Sequence, residues 1–232
     1  MAIDLHKKAE KVGINLKKKG ISNPPILRVG AAWDISGSAR GMYYDGEMQE
    51  ALNHVLGLAM AFDPTQKLDN FVFDDQHAQL PAPATPGNFT TYIEDQVLNE
   101  KEIRKWGGTC YAGVVHEMQN HYFGKHHGLL SLFHKKKKAD HLPALCFLFT
   151  DGENSDHGEA REAFERATDY PVFFCLVGIG AGHSFRFLRQ MESGESDCEF
   201  VNLNNLRVSD DELYEKIVSP KLVNWLKLHP ER

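Results

Sequence analysis

The sequence predicts an α/β fold: a doubly wound, mostly parallel sheet with one antiparallel edge strand and helices on both faces. Segments with strand character alternate with segments of helical periodicity along most of the 232 residues, as in parallel sheets whose strands are joined by helices. Two uninterrupted apolar runs, residues 144–149 and 172–177, are typical of central strands covered on both faces. A hairpin predicted over residues 68–80 supplies the antiparallel edge.

The elements of the first half follow in order. Residues 27–33 alternate loosely in polarity and lead into Asp34, which predicts a buried strand. An apolar stripe at helical spacing then predicts a long helix that ends at Asp63-Pro64; its members are Met48, Leu52, Val55, Leu56 and Ala59. Residues 68–73 and 77–80 predict the two strands of the hairpin, which a proline-containing loop follows.

The second half continues the alternation. A helix is predicted directly after Gly107-Gly108-Thr109, from a second apolar stripe: Tyr111, Val114, Val115, Met118 and Tyr122. Residues 158–168 predict a helix between the two apolar strands, residues 184–191 another after them, and residues 199–203 an edge strand. A last helix is expected to begin near Ser209, to break at Ser219-Pro220 and to continue to residue 228.

The chain divides by charge into two unequal parts. Residues 1–24 hold six lysines and two acidic residues, a net charge of +4, so that the remainder carries −10. We therefore expect a basic N-terminal extension over residues 1–24 and one domain over residues 25–232. We expect the extension to be a short helix or a solvated tail. A role as a docking element is an open alternative to the solvated tail.

Composition narrows the class of protein. A formal net charge of −6 argues against a surface given over to nucleic acid. The longest apolar runs have six residues, whereas a transmembrane helix needs about 20, and residues 1–7 lack the apolar segment of a secretory signal. The four cysteines form no Cys-x-x-Cys pair, which favours free thiols and a cytoplasmic location.

Three predicted turns at strand or helix ends are rich in oxygen ligands. Asp34, Ser36 and Ser38 follow the first strand, Thr109 precedes the middle helix, and Asp151 follows the strand over residues 144–149. In an open α/β sheet ligands bind beyond the carboxyl ends of the strands, so we expect these side chains to converge. Two carboxylates and three hydroxyls are ligands suited to a hard divalent cation, Mg²⁺ or Mn²⁺.

The pattern Asp34-x-Ser36-x-Ser38, then Thr109, then Asp151 resembles the metal-ion-dependent adhesion site of the von Willebrand factor A domain family. Residues 107–112, 149–156 and 177–180 are similar to its TerF-like branch, which is associated with tellurium resistance and stress response. The resemblance covers residues 26–228 and implies that family's Rossmann-like sheet. Ala39 and Cys110 depart from residues that are frequent in the family, but neither is a ligand position.

Carried over to this sequence, the resemblance implies a role for each candidate residue. Ser36, Ser38 and, in the high-affinity arrangement, Thr109 bind the metal directly, while Asp34 and Asp151 bind it mostly through water. The remaining coordination position takes a carboxylate from an Asp or Glu of a protein partner. The implied function is a non-enzymatic, Mg²⁺-dependent protein-binding module of a Ter-type stress system.

Other interpretations stay open at this stage. Asp-x-Ser-x-Ser after a strand is also a common helix N-cap, and the site is a vestige if it has lost its metal. A Mg²⁺-dependent phosphate-ester hydrolase is the alternative from another class, since a bound cation also polarises phosphoryl oxygens. Against it, no Asp-x-Asp pair stands at Asp34, and Arg40 is the one nearby candidate for a phosphate clamp.

Other patterns in the sequence do not predict a metal or cofactor site. His116 and His121 are five residues apart, which turns them about 140° from each other on a helix, so a zinc-binding pair is not expected. Several histidines and the run Lys135–Lys138 lie in a polar insertion and predict a solvated loop; the histidines are His126, His127, His134 and His141. Gly178-Ile-Gly180-Ala-Gly182 lacks the third glycine of a dinucleotide-binding motif.

Overall fold

The computed structural model describes residues 4–124, 142–180, 185–194 and 197–229. Six strands form one sheet: β1 (Arg28–Asp34), β2 (Asp69–Phe73), β3 (His77–Gln79), β4 (Ala144–Thr150), β5 (Val172–Ile179) and β6 (Cys198–Leu203). Their order is β3-β2-β1-β4-β5-β6. The outer strand β3 runs antiparallel to β2, and the other neighbours are parallel. The predicted mostly parallel sheet with one antiparallel edge is confirmed.

Eight α-helices surround the sheet in the described ranges: α1 (Leu5–Lys18), α2 (Arg40–Tyr44), α3 (Glu47–Phe62), α4 (Ala112–Phe123), α5 (His157–Ala167), α6 (Arg186–Ser193), α7 (Asp210–Ile217) and α8 (Pro220–Leu228). Apolar side chains of α1, α3, α7 and α8 pack on one face of the sheet, and those of α4, α5 and α6 pack on the other. None of these helices is long and apolar enough to cross a membrane.

The central strands are apolar at successive positions because both faces of the sheet are covered. In β4, Leu145, Phe147 and Phe149 join the core layer beneath α3, while Cys146 and Leu148 join the layer beneath α4. All seven residues of β4 are buried. The two apolar runs therefore mark the middle of the sheet, where β4 lies between β1 and β5.

The basic N-terminal segment forms α1, which packs against α3 and α7. Its Leu5, Val12 and Leu16 are buried in the same core layer as α3. A charged cluster joins the three helices: the Lys8 ammonium donates to Asp210, and His54 Nδ1 lies 2.8 Å from the same carboxylate. Burial and the nearby Lys8 lower the pKa of His54 to about 4. The segment is a packed helix, and the boundary between residues 24 and 25 remains a prediction.

The structure also contains elements that the sequence patterns did not indicate. The five-residue α2 precedes α3, separated from it by Gly46 with φ of 77°, a conformation that favours glycine. Short turns of 3₁₀ helix at Phe89–Thr91 and of π-helix at Glu94–Leu98 follow the hairpin. The helix predicted over residues 184–191 is found as α6, two residues later. The polar insertion, with its four histidines and Lys135–Lys138, lies outside the described residues.

The packing of α1 can be tested with two substitutions on that helix. Leu16→Ala should lower the free energy of unfolding by about 2–4 kcal/mol, because it removes a fully buried side chain from the layer shared with α3. Ile14→Ala is the matched control, since Ile14 is 47% exposed, and it should cost less than about 1 kcal/mol. Urea denaturation measures both values. Equal costs for the two variants would show that α1 is not docked as described.

Candidate metal centre

The candidate residues lie at one edge of the sheet because of how β1 and β4 pair. These strands are parallel neighbours, with Trp33 opposite Phe149, so their carboxyl ends reach the same edge. Asp34 is the last residue of β1, and Thr150 is the last residue of β4. Asp151 follows immediately. Two carboxylates that are 117 positions apart in the chain are thereby brought to one place.

A chain of hydrogen bonds connects four of the five predicted ligands. Ser36 donates its backbone N–H to Asp34 Oδ1 at 2.7 Å, and the hydroxyls of Ser36 and Ser38 lie 3.1 Å apart. Ser38 Oγ in turn donates to Asp151 Oδ1 at 2.8 Å. The structure therefore brings Asp34, Ser36, Ser38 and Asp151 into contact, as their positions after the strands predicted.

Thr109 is held at the same edge through its backbone. Its carbonyl accepts a hydrogen bond from the backbone N–H of Ser155 at 2.9 Å, which ties the loop before α4 to the loop after β4. The adjacent carbonyl of Gly107 accepts from the N–H of Gly37 at 3.0 Å. Through these bonds, all three predicted loops contact one another at the carboxyl edge of the sheet.

The site changes from buried to exposed along the hydrogen-bond chain. Asp34 and Ser36 are buried, Asp151 is half-buried and Ser38 is exposed. Burial raises the pKa of Asp34 to about 6, and the negative charge of Asp151 acts in the same direction, although hydrogen bonds from Ser36 and Thr150 oppose it. The ionised carboxylate is thus short of stabilising positive charge, which gives a cation an electrostatic reason to bind beside it.

Residues other than the five predicted ligands fix this arrangement. Thr150 Oγ1 donates to Asp34 Oδ2 at 2.6 Å, and the buried Tyr43 hydroxyl donates to the Asp34 carbonyl at 2.9 Å. Asp156 accepts from the N–H groups of Tyr111 and Ala112 at 3.0 and 2.8 Å, so it caps α4 from the neighbouring loop. The distance along the chain between these partners explains why local motifs did not reveal them.

Gly107 is required by close approach to a second carboxylate pair. Its N–H donates to Asp74 Oδ2 at 2.9 Å. A Cβ at this position would lie 2.3 Å from Asp75 Oδ1 and 2.7 Å from Asp74 Oδ2, which are impossible separations. A larger residue would therefore have to push these carboxylates aside, including the one that accepts the Gly107 N–H.

The donor set at this edge is made of oxygen atoms. Across the described ranges, no three carboxylate, imidazole or thiol side chains cluster in a way that could hold a metal ion. Cation binding here would therefore depend on the serine and threonine hydroxyls together with Asp34 and Asp151. Such a set suits a hard divalent cation that keeps some of its water.

Comparison with known proteins assigns the chain to a family. Residues 26–231 match the vWA-TerF-like model, described as the vWA found in the TerF C terminus. The chain belongs to the TerF-like von Willebrand factor A family. A relative of this vWA protein in Bacillus subtilis (strain 168), uncharacterized protein YcbR, is 29% identical over 235 residues, which cover 99% of this chain and 88% of YcbR.

Solved structures share the vWA fold with this protein at low sequence identity. Proximal thread matrix protein 1 from the mussel byssus superposes with a TM-score of 0.59 at 17% identity, over 84% of this chain. The chain spans about half the length of that protein, 48%. A second structure of it, with a zinc-occupied MIDAS motif, has a TM-score of 0.57 at 19% identity, over 88% of this chain and 48% of its own.

A metal-loaded structure from another organism shows the same fold. Manganese-loaded Plasmodium vivax TRAP protein superposes with a TM-score of 0.51 at 14% identity, over 85% of this chain and 73% of that one. At such identities the likeness establishes the fold of this vWA protein. The zinc belongs to the structure of the mussel protein, and the manganese belongs to that of the Plasmodium vivax protein.

The buried carboxylate of this vWA domain predicts a pH dependence in the presence of a chelator. Between pH 4 and pH 6 the folded state keeps the proton on Asp34 and the unfolded state loses it, so the contribution of Asp34 to stability falls as pH rises through this range. The difference between pKa 3.8 and about 6 corresponds to about 3 kcal/mol. His54, whose pKa is lowered, contributes in the opposite direction, so the test is a comparison of slopes. In urea denaturation across that range, the stability of Asp34→Asn should rise relative to that of the wild type as pH rises.

The control for this experiment is Glu165→Gln, which changes an exposed carboxylate on α5. It should reproduce the wild-type slope. If Asp34→Asn also reproduced that slope, Asp34 would be ionised in the folded protein at its ordinary pKa, and the electrostatic reason for a cation would disappear.

Proposed function

We propose that this protein is a non-catalytic binding module that holds Mg²⁺ or Mn²⁺ at Asp34, Ser36, Ser38, Thr109 and Asp151, and through it binds a carboxylate of a protein partner. The observation that carries the proposal is the hydrogen-bond chain from the buried Asp34 through Ser36 and Ser38 to Asp151. Metal-occupied vWA relatives support it. We place the module in a cytoplasmic Ter-type stress system, with support from the family match.

The arrangement of the residues suggests which of them bind the cation directly and which bind it through water. Ser36 and Ser38 already face each other at 3.1 Å, and both hydroxyls could turn their lone pairs to one cation. Asp34 is engaged by Thr150 and by the Ser36 N–H, which suits a role through water. A bound cation would supply an electrophilic centre at the protein surface.

Neutral hydroxyl ligands explain why a carboxylate would be the preferred partner group. Hydroxyls do not cancel the charge of a divalent cation, whereas two directly bound carboxylates would. The cation would therefore keep enough positive charge to attract one more anionic oxygen. Ser38 and Asp151, the exposed and half-exposed members, leave the site open on the side from which a partner would approach.

Hydrolysis of phosphate esters, the alternative raised by the sequence, finds no support in the comparisons. The sequence has no Asp-x-Asp pair at Asp34 that could supply a carboxylate nucleophile. We therefore propose binding without turnover.

Metal binding is the direct test of this function. Mg²⁺ or Mn²⁺ should bind at one site in calorimetry and raise the melting temperature, because a ligand that binds only the folded state stabilises it, by about 2.7 kcal/mol at a hundredfold excess over Kd. Asp34→Ala, Ser38→Ala and Asp151→Ala should each abolish this rise, while Glu165→Gln keeps it. Undiminished calorimetric binding by the triple variant would overturn the assignment of the site.

The carboxylate preference has a separate test. In Mn²⁺, an end-blocked peptide with one Asp in a Gly-Ala-Leu frame should bind, as measured by NMR titration, because its carboxylate completes the coordination of the cation. Its Asn counterpart should not bind, and neither peptide should bind in chelator or to Asp151→Ala. Equal binding of the Asp and Asn peptides would contradict the proposed recognition.

A further inference from the structure

An arginine lies over two aromatic rings beside the candidate metal centre. The Arg40 guanidinium lies 5.6 Å from the ring centroid of Tyr44 and 5.6 Å from that of Trp106. The two rings lie 6.2 Å apart. We call Arg40, Tyr44 and Trp106 the aromatic–arginine platform. Tyr44 is 64% exposed and is the one aromatic among the large apolar side chains left exposed in the described ranges.

The platform is tied to the loops of the metal centre. Arg40 follows Ser38 by two residues. The backbone N–H of Trp106 donates to the backbone carbonyl of Ile35 at 2.8 Å. Ile35 directly follows Asp34. Tyr43, whose hydroxyl donates to the Asp34 carbonyl, also packs its ring edge-on to Trp106, at 5.6 Å between centroids. A partner that reaches the candidate cation would therefore reach the platform as well.

The backbone of Trp106 gives an independent reason to look for a function here. Its φ is 73°, in the left-handed region that non-glycine residues rarely adopt. Such a conformation costs about 1–3 kcal/mol and is concentrated at binding and active sites. A large aromatic residue held in this conformation suggests selection for the position of its ring.

The charge of Arg40 is available to a partner. Arg104 pairs with Asp75 and Arg207 with Glu47, but within the described residues no carboxylate pairs with Arg40. The guanidinium lies over both rings, and its N–H groups can form a two-pronged hydrogen bond with a carboxylate. Aromatic residues and arginine are the types that contribute most to binding in protein interfaces.

We propose that the aromatic–arginine platform is a second anchor for the partner, which binds a second Asp or Glu of the segment whose first acid reaches the cation. Apolar atoms beside that second acid would pack on Tyr44 and Trp106. The inference rests on the proposed function, because the first acid needs the metal. An acidic protein segment is favoured over nucleic acid because residues 25–232 carry a net charge of −10, which repels a long polyanion but tolerates two acids placed at two local positive charges.

The test uses a panel of end-blocked peptides in Mn²⁺. Each peptide has one Asp, or two Asp residues at spacings from adjacent to several residues apart, in the same Gly-Ala-Leu frame. At the best spacing, the two-acid peptide should bind about tenfold more tightly than the one-acid peptide. Arg40→Gln should remove that advantage, Arg40→Lys should keep part of it, and Trp106→Gly should reduce it without straining the backbone. Arg161→Gln, an exposed arginine on α5, should leave it unchanged.

The readouts separate this inference from the proposed function. Calorimetry of Mn²⁺ alone should give the same affinity for wild type and Arg40→Gln; a loss of metal binding in this variant would overturn the inference by assigning Arg40 to the metal loop. Metal-dependent binding with no advantage for any two-acid peptide would overturn the platform and leave the proposed function standing. Binding of no peptide in Mn²⁺ would overturn both. A phosphoserine peptide that outcompetes the two-acid peptide would overturn the inference in favour of phosphorylated partners.

Discussion

The parallel pairing of β1 with β4 is the constraint on which the site depends. It brings Asp34, at the end of one strand, next to Thr150 and Asp151, at the end of the other. The stack of Trp33 on Phe149, with 4.7 Å between ring centroids, lies one residue below this edge. The register of the two strands is therefore fixed by large buried rings just where the polar cluster begins. A slip of one residue would turn these rings to the other face and separate Asp34 from Thr150.

Burial and hydrogen bonding oppose each other at Asp34, and their balance shapes the site. The core raises the pKa of this carboxyl, while Ser36 and Thr150 stabilise the charged form. The donors come from its own loop and from the neighbouring strand, so the carboxylate keeps one orientation before any ligand arrives. The loop before α4 is fixed in a similar way, because its backbone N–H groups donate to the carboxylates of Asp74 and Asp156. Preorganisation of this kind lowers the cost of ordering the site upon binding.

Much of the fold could be predicted because the relevant signals are local. Residues 144–149 and 172–177 are continuous apolar runs because both sides of those strands are covered, and the stripe of Met48, Leu52 and Val55 faces the sheet at helical spacing. The convergence of Asp34, Ser36, Ser38 and Asp151 could be predicted because these residues lie directly after strands. By contrast, α2 is too short to show a periodicity, and the left-handed φ of Trp106 depends on contacts with Ile35 and Tyr43. The capping of α4 by Asp156 spans 44 residues, which no local pattern reveals.

The packing of α1 on α3 and α7 separates two definitions of where this domain begins. The match to the family model starts at residue 26, but the apolar layer includes Val12 and Leu16, both fully buried, and the similarity to YcbR covers 99% of the chain. A fragment cut at the similarity boundary would expose the faces of α3 and α7 that this helix covers, and would leave Asp210 without the ammonium of Lys8. Such a fragment would be prone to self-association. The boundary of the family model therefore falls inside the packed core, and a fragment designed from that boundary would lack part of the layer on which α3 and α7 rest.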